Sequence, residues 1–361
     1  MSTMTIAVAD PLPLSRTRHA AGRSERLAAL DLGTNNCRLL IAEPRDGGFE
    51  VVDSFSRIVR LGEGLAATNR LNDRAMARTL GALKICQRIM ARNRVARARC
   101  VATEACRRAD NGPEFIERVR RVTGLGLEVL THDEEARLAM LGCLPLIEND
   151  AEQLLMVDIG GGSTEIMLLD RHEQPKGREI GASISLPLGV VTLSESFARA
   201  RGGPVRPGAE TLSATYARMV ALVAERLAAG RAGRALACGG DGRRTQMLGT
   251  SGTVTTLAAV HLGLRRYDRR KVDGLTLPFS AIAAVALQLR ELDDAGRAAH
   301  PCIGNGRADL VIAGCAILDA VHAVWPVERL RVADRGVREG ILGGLMGQSL
   351  HMALVTGVRA A

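Results

Sequence analysis

The stretch that decides the fold is LLMVDIGGGSTEIM, residues 154–167. An apolar run ends on Asp158, three glycines make a turn, and a second apolar run begins after Ser163, Thr164 and Glu165. The pattern reads as strand, tight turn, strand, with a carboxylate closing the first strand. A P-loop needs GxxxxGK[ST], and a dinucleotide fingerprint needs a helix where IMLLD continues as a strand, so both readings fail. A β-turn-β loop that holds successive backbone N–H groups on one side is an anion nest, and glycine lets the chain come close to phosphate oxygens. An acid beside such a nest repels an anion unless a cation lies between them. Mg2+ fits that place, because it takes one or two carboxylates and completes its shell with water and phosphate oxygens.

The arrangement occurs twice. Asp31 opens DLGTNNCR as Asp158 opens DIGGGSTE, and 127 residues separate the two acids. An internal duplication of that length predicts an α/β protein of two domains with one topology, facing each other across a cleft. In the first half, strands are expected at 27–32, 38–43 and 49–59. A helix N-capped by Asn72 follows, with Met76, Leu80, Leu83, Cys86 and Met90 at helical spacing. Then come a strand at 98–103, a helix at 112–122 capped by Asn111, a strand at 127–132 and an acidic-start helix at 133–142. The order is βββαβαβα. The series restarts with strands at 154–160 and 164–170, an extended stretch at 177–186 and a helix at 207–228. A strand-turn-helix unit at 245–263, helices at 279–292 and 307–324, a strand at 329–334 and a last helix from Val337 complete it. The expected division is a flexible tail at 1–25, a first domain at 26–147 and a second at 148–361.

Composition narrows the function classes. The 361 residues are 47% hydrophobic, enough for two cores, and 48 Lys and Arg against 39 Asp and Glu leave a formal charge of +9 that suits an anionic partner. Aromatic residues make up only 2%, too few rings for base stacking, so no specific nucleic-acid partner is expected. The eight cysteines form no CxxC pair or zinc-spaced cluster and read as reduced thiols of a cytoplasmic protein. The N-terminus does not read as a signal peptide. Residues 340–358 lack charges but contain Gly, Gln, Ser and His, which predicts a packed C-terminal helix rather than a membrane span.

DLGTNNCRLLI (31–41), VRLGEGL (59–65), ATEACRRADNG (102–112), EEARLAMLG (134–142), VDIGGGSTEI (157–166), LPLGVVTLSE (186–195), GTSGTVTTLAAV (249–260) and VADRGVREGIL (332–342) stand in the order found in the exopolyphosphatase and guanosine pentaphosphate phosphohydrolase family. The chain resembles that family over residues 27–347, in its compact two-domain form. The resemblance implies an actin-like, duplicated ribonuclease-H-type fold and Mg2+-dependent hydrolysis of a terminal phosphoanhydride. The implied substrates are inorganic polyphosphate or guanosine pentaphosphate.

Residue roles follow from the same resemblance. Glu135, the second glutamate of EEAR, becomes the carboxylate that orients and deprotonates the attacking water. By helical position alone, Asp133, Glu134 and Glu135 read only as acids favoured in a first turn. Asp158 and Glu165 carry over as metal and water ligands with catalytic roles, and Asp31 as the equivalent acid of the first loop. The phosphate nest is Gly160, Gly161, Gly162, Ser163 and Thr164, with Gly33, Thr34 and Asn35 on the other side. Arg38 and Arg107 are expected to fork onto phosphate oxygens. The chain departs from the family at Thr34, usually serine, and at Asn36, usually a small hydroxyl residue.

The GTSGT loop at 249–253 is expected to form a cleft wall and a nucleotide site, Arg335, Arg338 and Glu339 to brace the second domain, and His132 to pack or hydrogen-bond. No membrane partner is expected, and a homodimer is a candidate assembly. Two other classes compete: an actin-like kinase acting on a sugar or carboxylate, and a non-catalytic phosphate sensor. A water-directed Glu135 argues against the kinase, and Glu135, Asp158 and Glu165 together against the sensor.

Overall fold

The computed structural model describes residues 25–148, 150–171, 178–200, 211–229, 244–304 and 306–348. The N-terminal tail, residues 207–210, Cys238 and the far end of the expected C-terminal helix lie outside them.

The first sheet contains β1 (Leu27–Leu32), β2 (Asn36–Arg45), β3 (Gly48–Ile58), β4 (Arg97–Ala102) and β5 (Leu127–Val129), in the order β3-β2-β1-β4-β5. β1 pairs antiparallel with β2 and parallel with β4, so both its edges are hydrogen-bonded; its two faces pack in separate clusters and nearly all of it is buried. Between the strands lie α1 (Leu65–Thr68), α2 (Asp73–Arg92), α3 (Glu104–Arg108) and α4 (Gly112–Thr123). α2 starts where expected: Asn72 Oδ1 accepts from Ala75 N at 2.7 Å. Its apolar stripe, Met76, Leu80, Leu83, Cys86 and Met90, packs with Leu30, Leu32, Leu39 and Ile41 on one face of the sheet. Thus βββαβαβα holds, with α1 and α3 as short insertions.

Two local expectations fail for the same reason, competition for side-chain hydrogen bonds. Asn111 does not cap α4; its amide bonds Leu71 N at 2.8 Å and Leu71 O at 3.0 Å, tying two loops together. The strand expected at 127–132 stops at Val129, because Thr131 Oγ1 accepts from Glu134 N at 3.2 Å and opens α5 (His132–Cys143).

The second sheet holds β6 (Gln153–Ile159), β7 (Thr164–Arg171), β8 (Arg178–Leu186), β9 (Thr245–Thr250), β10 (Thr276–Pro278) and β11 (Arg329–Ala333), in the order β10-β11-β9-β6-β7-β8. With β9 and β11 parallel to β6, it repeats the first sheet and adds β10 at one edge. Its helices are α6 (Val190–Ala200), α7 (Leu212–Ala228), α8 (Ser251–His261), α9 (Arg269–Val272), α10 (Phe279–Glu291), α11 (Asp294–Ala299), α12 (Val311–Val324) and α13 (Val337–Leu345).

Strand halves and helix halves do not coincide. α5 follows the first sheet in the chain, yet its Ala136, Ala139, Met140 and Cys143 pack on Met156, Met167 and Leu248 of the second. α13 closes the second lobe, yet its Ile341 and Leu342 pack on Leu27, Ala29, Leu40 and Val101 of the first. The two helices cross so tightly that a Cβ on Gly340 would collide with Leu138 O, and one on Gly142 with Gly336 O. The division expected at 147/148 therefore describes the sheets, while α5 and α13 are exchanged between lobes.

Candidate active site

Each glycine turn is a hairpin tip of the same build. Gly33 N donates to Asn36 O, and Gly160 N to Ser163 O, each at 2.9 Å. The VRLGEGL segment clamps the first tip: Asn35 O accepts from Val59 N at 2.8 Å and Arg60 N at 3.0 Å, and Thr34 O from Gly62 N at 2.9 Å. The LPLGVVTLSE segment clamps the second: Gly160 O accepts from Val190 N at 3.0 Å, and Gly161 O from Val191 N at 2.8 Å.

The tips then meet head to head. A Cβ on Gly162 would lie 2.7 Å from Thr34 Oγ1 and 2.8 Å from Glu104 Cγ. Glycine is required here for close approach of one loop to the other, beyond any approach to phosphate. This contact sets Asp31 and Asp158 at the floor of one cavity of about 150 Å³, which Glu135 and Glu165 also line.

Four carboxylates so enclosed repel one another. Desolvation, then the charges of Glu165 and Asp31, push the Asp158 carboxyl up to about 7. Desolvation raises Asp31 against the pull of Arg38 and Arg338. It also raises Glu135 well above its usual range, with Glu165 adding to the shift and Arg107 opposing it. Neither Asp31 nor Asp158 accepts a side-chain hydrogen bond from the described residues. Such unrelieved negative charge fits a cation. Among the described residues no group of three His, Cys, Asp or Glu is placed to hold a metal ion by itself.

The same lining carries cations among the acids. Arg38, Arg307 and Arg338 line the cavity, and the charges of Arg338 and Arg307 join desolvation in lowering the Arg38 pKa. The N-terminus of α8 enters the same lining through Ser251, Gly252 and Thr253, as expected for the GTSGT loop. Ser251 holds φ at 86°, and its Oγ donates to Ile159 O at 2.5 Å. Arg335 and Glu339 do brace the second lobe, through Asp273 at 2.7 Å and Arg269 at 2.8 Å. Arg338, expected as a third brace, lines the cavity, as do Arg335 and Glu339.

Three placements differ from the sequence reading. Thr164 turns its hydroxyl to Leu188 O at 2.7 Å and is not part of the cavity lining. Arg107 is spent on the protein. Its Nη1 donates to Leu130 O at 2.6 Å and Glu135 Oε2 at 3.1 Å, and its Nη2 to Glu104 Oε2 at 2.8 Å and His132 Nδ1 at 3.0 Å. Its Nε is buried without a partner, and Arg107 is not part of the cavity lining. Asn36 leaves its Oδ1 buried and unpartnered on the cavity lining, as Asn35 does. The charged residues missed altogether are Arg307, Glu104 and Asp334. Arg307 precedes α12 in no recognisable motif; Glu104, inside ATEACRRADNG, and Asp334, inside VADRGVREGIL, carried the only available signals.

The profile of the Ppx/GppA phosphatase family matches residues 40–349. The chain is 30% identical over 335 residues to Exopolyphosphatase 2 of Mycobacterium tuberculosis, covering 89% of this chain and 99% of that protein. Among solved structures, the Aquifex aeolicus Ppx/GppA family member is 28% identical, with a TM-score of 0.70 over 90% of this chain and 99% of its own. An exopolyphosphatase from Cytophaga hutchinsonii, 23% identical, shares the fold with a TM-score of 0.77 over 90% of this chain and 99% of its own. The chain belongs to the Ppx/GppA phosphatase family and is a phosphoanhydride hydrolase.

Proposed function

We propose that the protein is a cytoplasmic exopolyphosphatase that removes the terminal phosphate of inorganic polyphosphate with Mg2+. The observation that carries this reading is the lining of one cavity, in which Asp31, Glu135, Asp158 and Glu165 come together with Arg38, Arg307, Arg338 and a helix N-terminus. A phosphoanhydride needs that division: cationic donors for the charged oxygens, and a carboxylate for the water.

In this mechanism Arg38, Arg307 and Arg338 grip the phosphate oxygens, and the amides of the two hairpin tips hold the scissile phosphoryl group. Glu135 accepts a proton from the attacking water; burial tunes its carboxyl upward, toward the pH at which a base works best. The shortened chain departs as a phosphate anion and needs little protonation. Asp158 and Glu165, with Asp31 opposite, are the residues to hold Mg2+, which when bound supplies charge neutralisation at the phosphate oxygens.

Guanosine pentaphosphate ends in the same bond, and the wall formed by Ser251, Gly252 and Thr253 gives a nucleoside a place to rest. Purified protein should release phosphate from polyphosphate in the presence of Mg2+, and side-by-side assays with polyphosphates of several lengths, guanosine pentaphosphate and ATP rank the substrates. Release from ATP alone, with transfer to a sugar or carboxylate acceptor, would favour a kinase instead.

A further inference from the structure

We infer that His132 is a positioning residue that ties the proposed base Glu135 to Glu165 across the seam between the lobes. The inference rests on the proposed hydrolysis. A continuous chain of polar contacts runs Glu135, Arg107, His132, Ser185, Glu165. Its steps are Glu135 Oε2 to Arg107 Nη1 at 3.1 Å, Arg107 Nη2 to His132 Nδ1 at 3.0 Å, His132 Nδ1 to Ser185 Oγ at 2.8 Å, and Ser185 Oγ to Glu165 Oε1 at 3.2 Å.

Two backbone registers build this chain. His132 and Glu135 stand three residues apart in the first turn of α5, on one face of the helix. Ser185 on β8 is the direct partner of Glu165 on β7, on one face of the second sheet. Arg107 and Glu104 reach in from the first lobe on α3.

Proton placement follows from the donors. Arg107 has no acceptor, so Nδ1 presents its lone pair and the ring proton sits on Nε2, 3.7 Å from Glu104 Oε2. The single Ser185 proton serves one acceptor at a time, Nδ1 or Glu165 Oε1, so the serine alternates between the two links. His132 does not line the cavity, and its side chain is 42% exposed on the outer side. It therefore acts on the reaction only through its neighbours. Its effect is to keep Arg107 in the pose that holds Glu135, and to fix that pose to Glu165 of the opposite lobe.

The test compares steady-state kinetics on polyphosphate with equilibrium binding of the same substrate. His132→Leu removes the acceptor, whereas His132→Asn returns one near the Nδ1 position. His132→Leu should lower kcat by about ten- to a hundredfold while KM and binding stay within about twofold, and His132→Asn should recover most of the loss. Ser185→Ala should act in the same direction, and the double variant should lose no more than the worse single one. If His132→Leu fails to fold, His132→Asn against Ser185→Ala still reads the link. Unchanged kcat in the variants, additive losses, or a His132→Asn no better than His132→Leu would overturn the inference alone. A wild-type protein inert toward every polyphosphate would overturn the hydrolysis and this inference together.

Discussion

Arg38 and Glu165 occupy the same position in the two hairpins: Arg38 is the strand partner of Asp31, and Glu165 the strand partner of Asp158. One copy of the duplicated turn thus pairs acid with base, and the other acid with acid. That single difference sets a cation beside one acid of the cavity and a second carboxylate beside the other.

Arg38→Met should therefore cost substrate grip more than chemistry. The expected result is a KM for polyphosphate raised about tenfold or more, with partial recovery in Arg38→Lys, which keeps the charge but not the fork. Initial-rate measurements over a range of polyphosphate concentrations check it.

Glu135→Gln keeps the shape of the side chain and its contact with Arg107, but cannot accept a proton. Loss of about a hundred- to ten-thousandfold in kcat is expected, with polyphosphate still bound. Because burial lifts the Glu135 carboxyl, the acid limb of the wild-type rate profile should lie above the ordinary glutamate range. A profile flat down to pH 4.5, the usual glutamate value, would remove Glu135 from the base role.

Asp158 links activity to stability. Its carboxyl rises from 3.8 to about 7 on folding, so its contribution is favourable below pH 3.8 and is lost as pH rises to about 7. In chelator-treated protein, Asp158→Asn should match the wild type near pH 4 and melt several degrees higher above pH 7, while releasing no phosphate. Thermal melts at several pH values measure the gap, and a variant less stable than wild type at pH 8 would contradict the assignment.

Gly340→Ala tests the helix crossing. A methyl group aimed at Leu138 O forces α5 and α13 apart, a change worth about 1–3 kcal/mol or more. The melting temperature should fall by roughly 2–4 °C per kcal/mol, with activity falling as well, because α5 carries Glu135.

The sequence exposed the parts of this site that repeat or alternate. Asp31 and Asp158 were visible because an apolar strand, an acid and a glycine turn recur in both halves. The convergence of Arg38, Arg307 and Arg338 was not visible, because these residues come from β2, the segment before α12 and α13, and no local pattern connects them. Glu135 was indistinguishable from a helix-dipole acid until the family resemblance singled it out. Arg107 misled for a related reason: residue type tells that a guanidinium can fork onto phosphate, but not that four protein acceptors already surround it. The sequence likewise placed a helix at 133–142 without showing which sheet it covers.

That last point governs how the chain can be cut. A fragment ending near residue 147 would carry Ala136, Ala139, Met140 and Cys143 of α5 bare and would leave Leu27, Ala29 and Leu40 without Ile341 and Leu342; the remaining fragment would lack the cover that Met140 and Cys143 give Met156 and Leu248. Neither piece is a self-sufficient folding unit, so unfolding of the whole should be a single cooperative event, and co-expressed halves should reassemble while each alone precipitates.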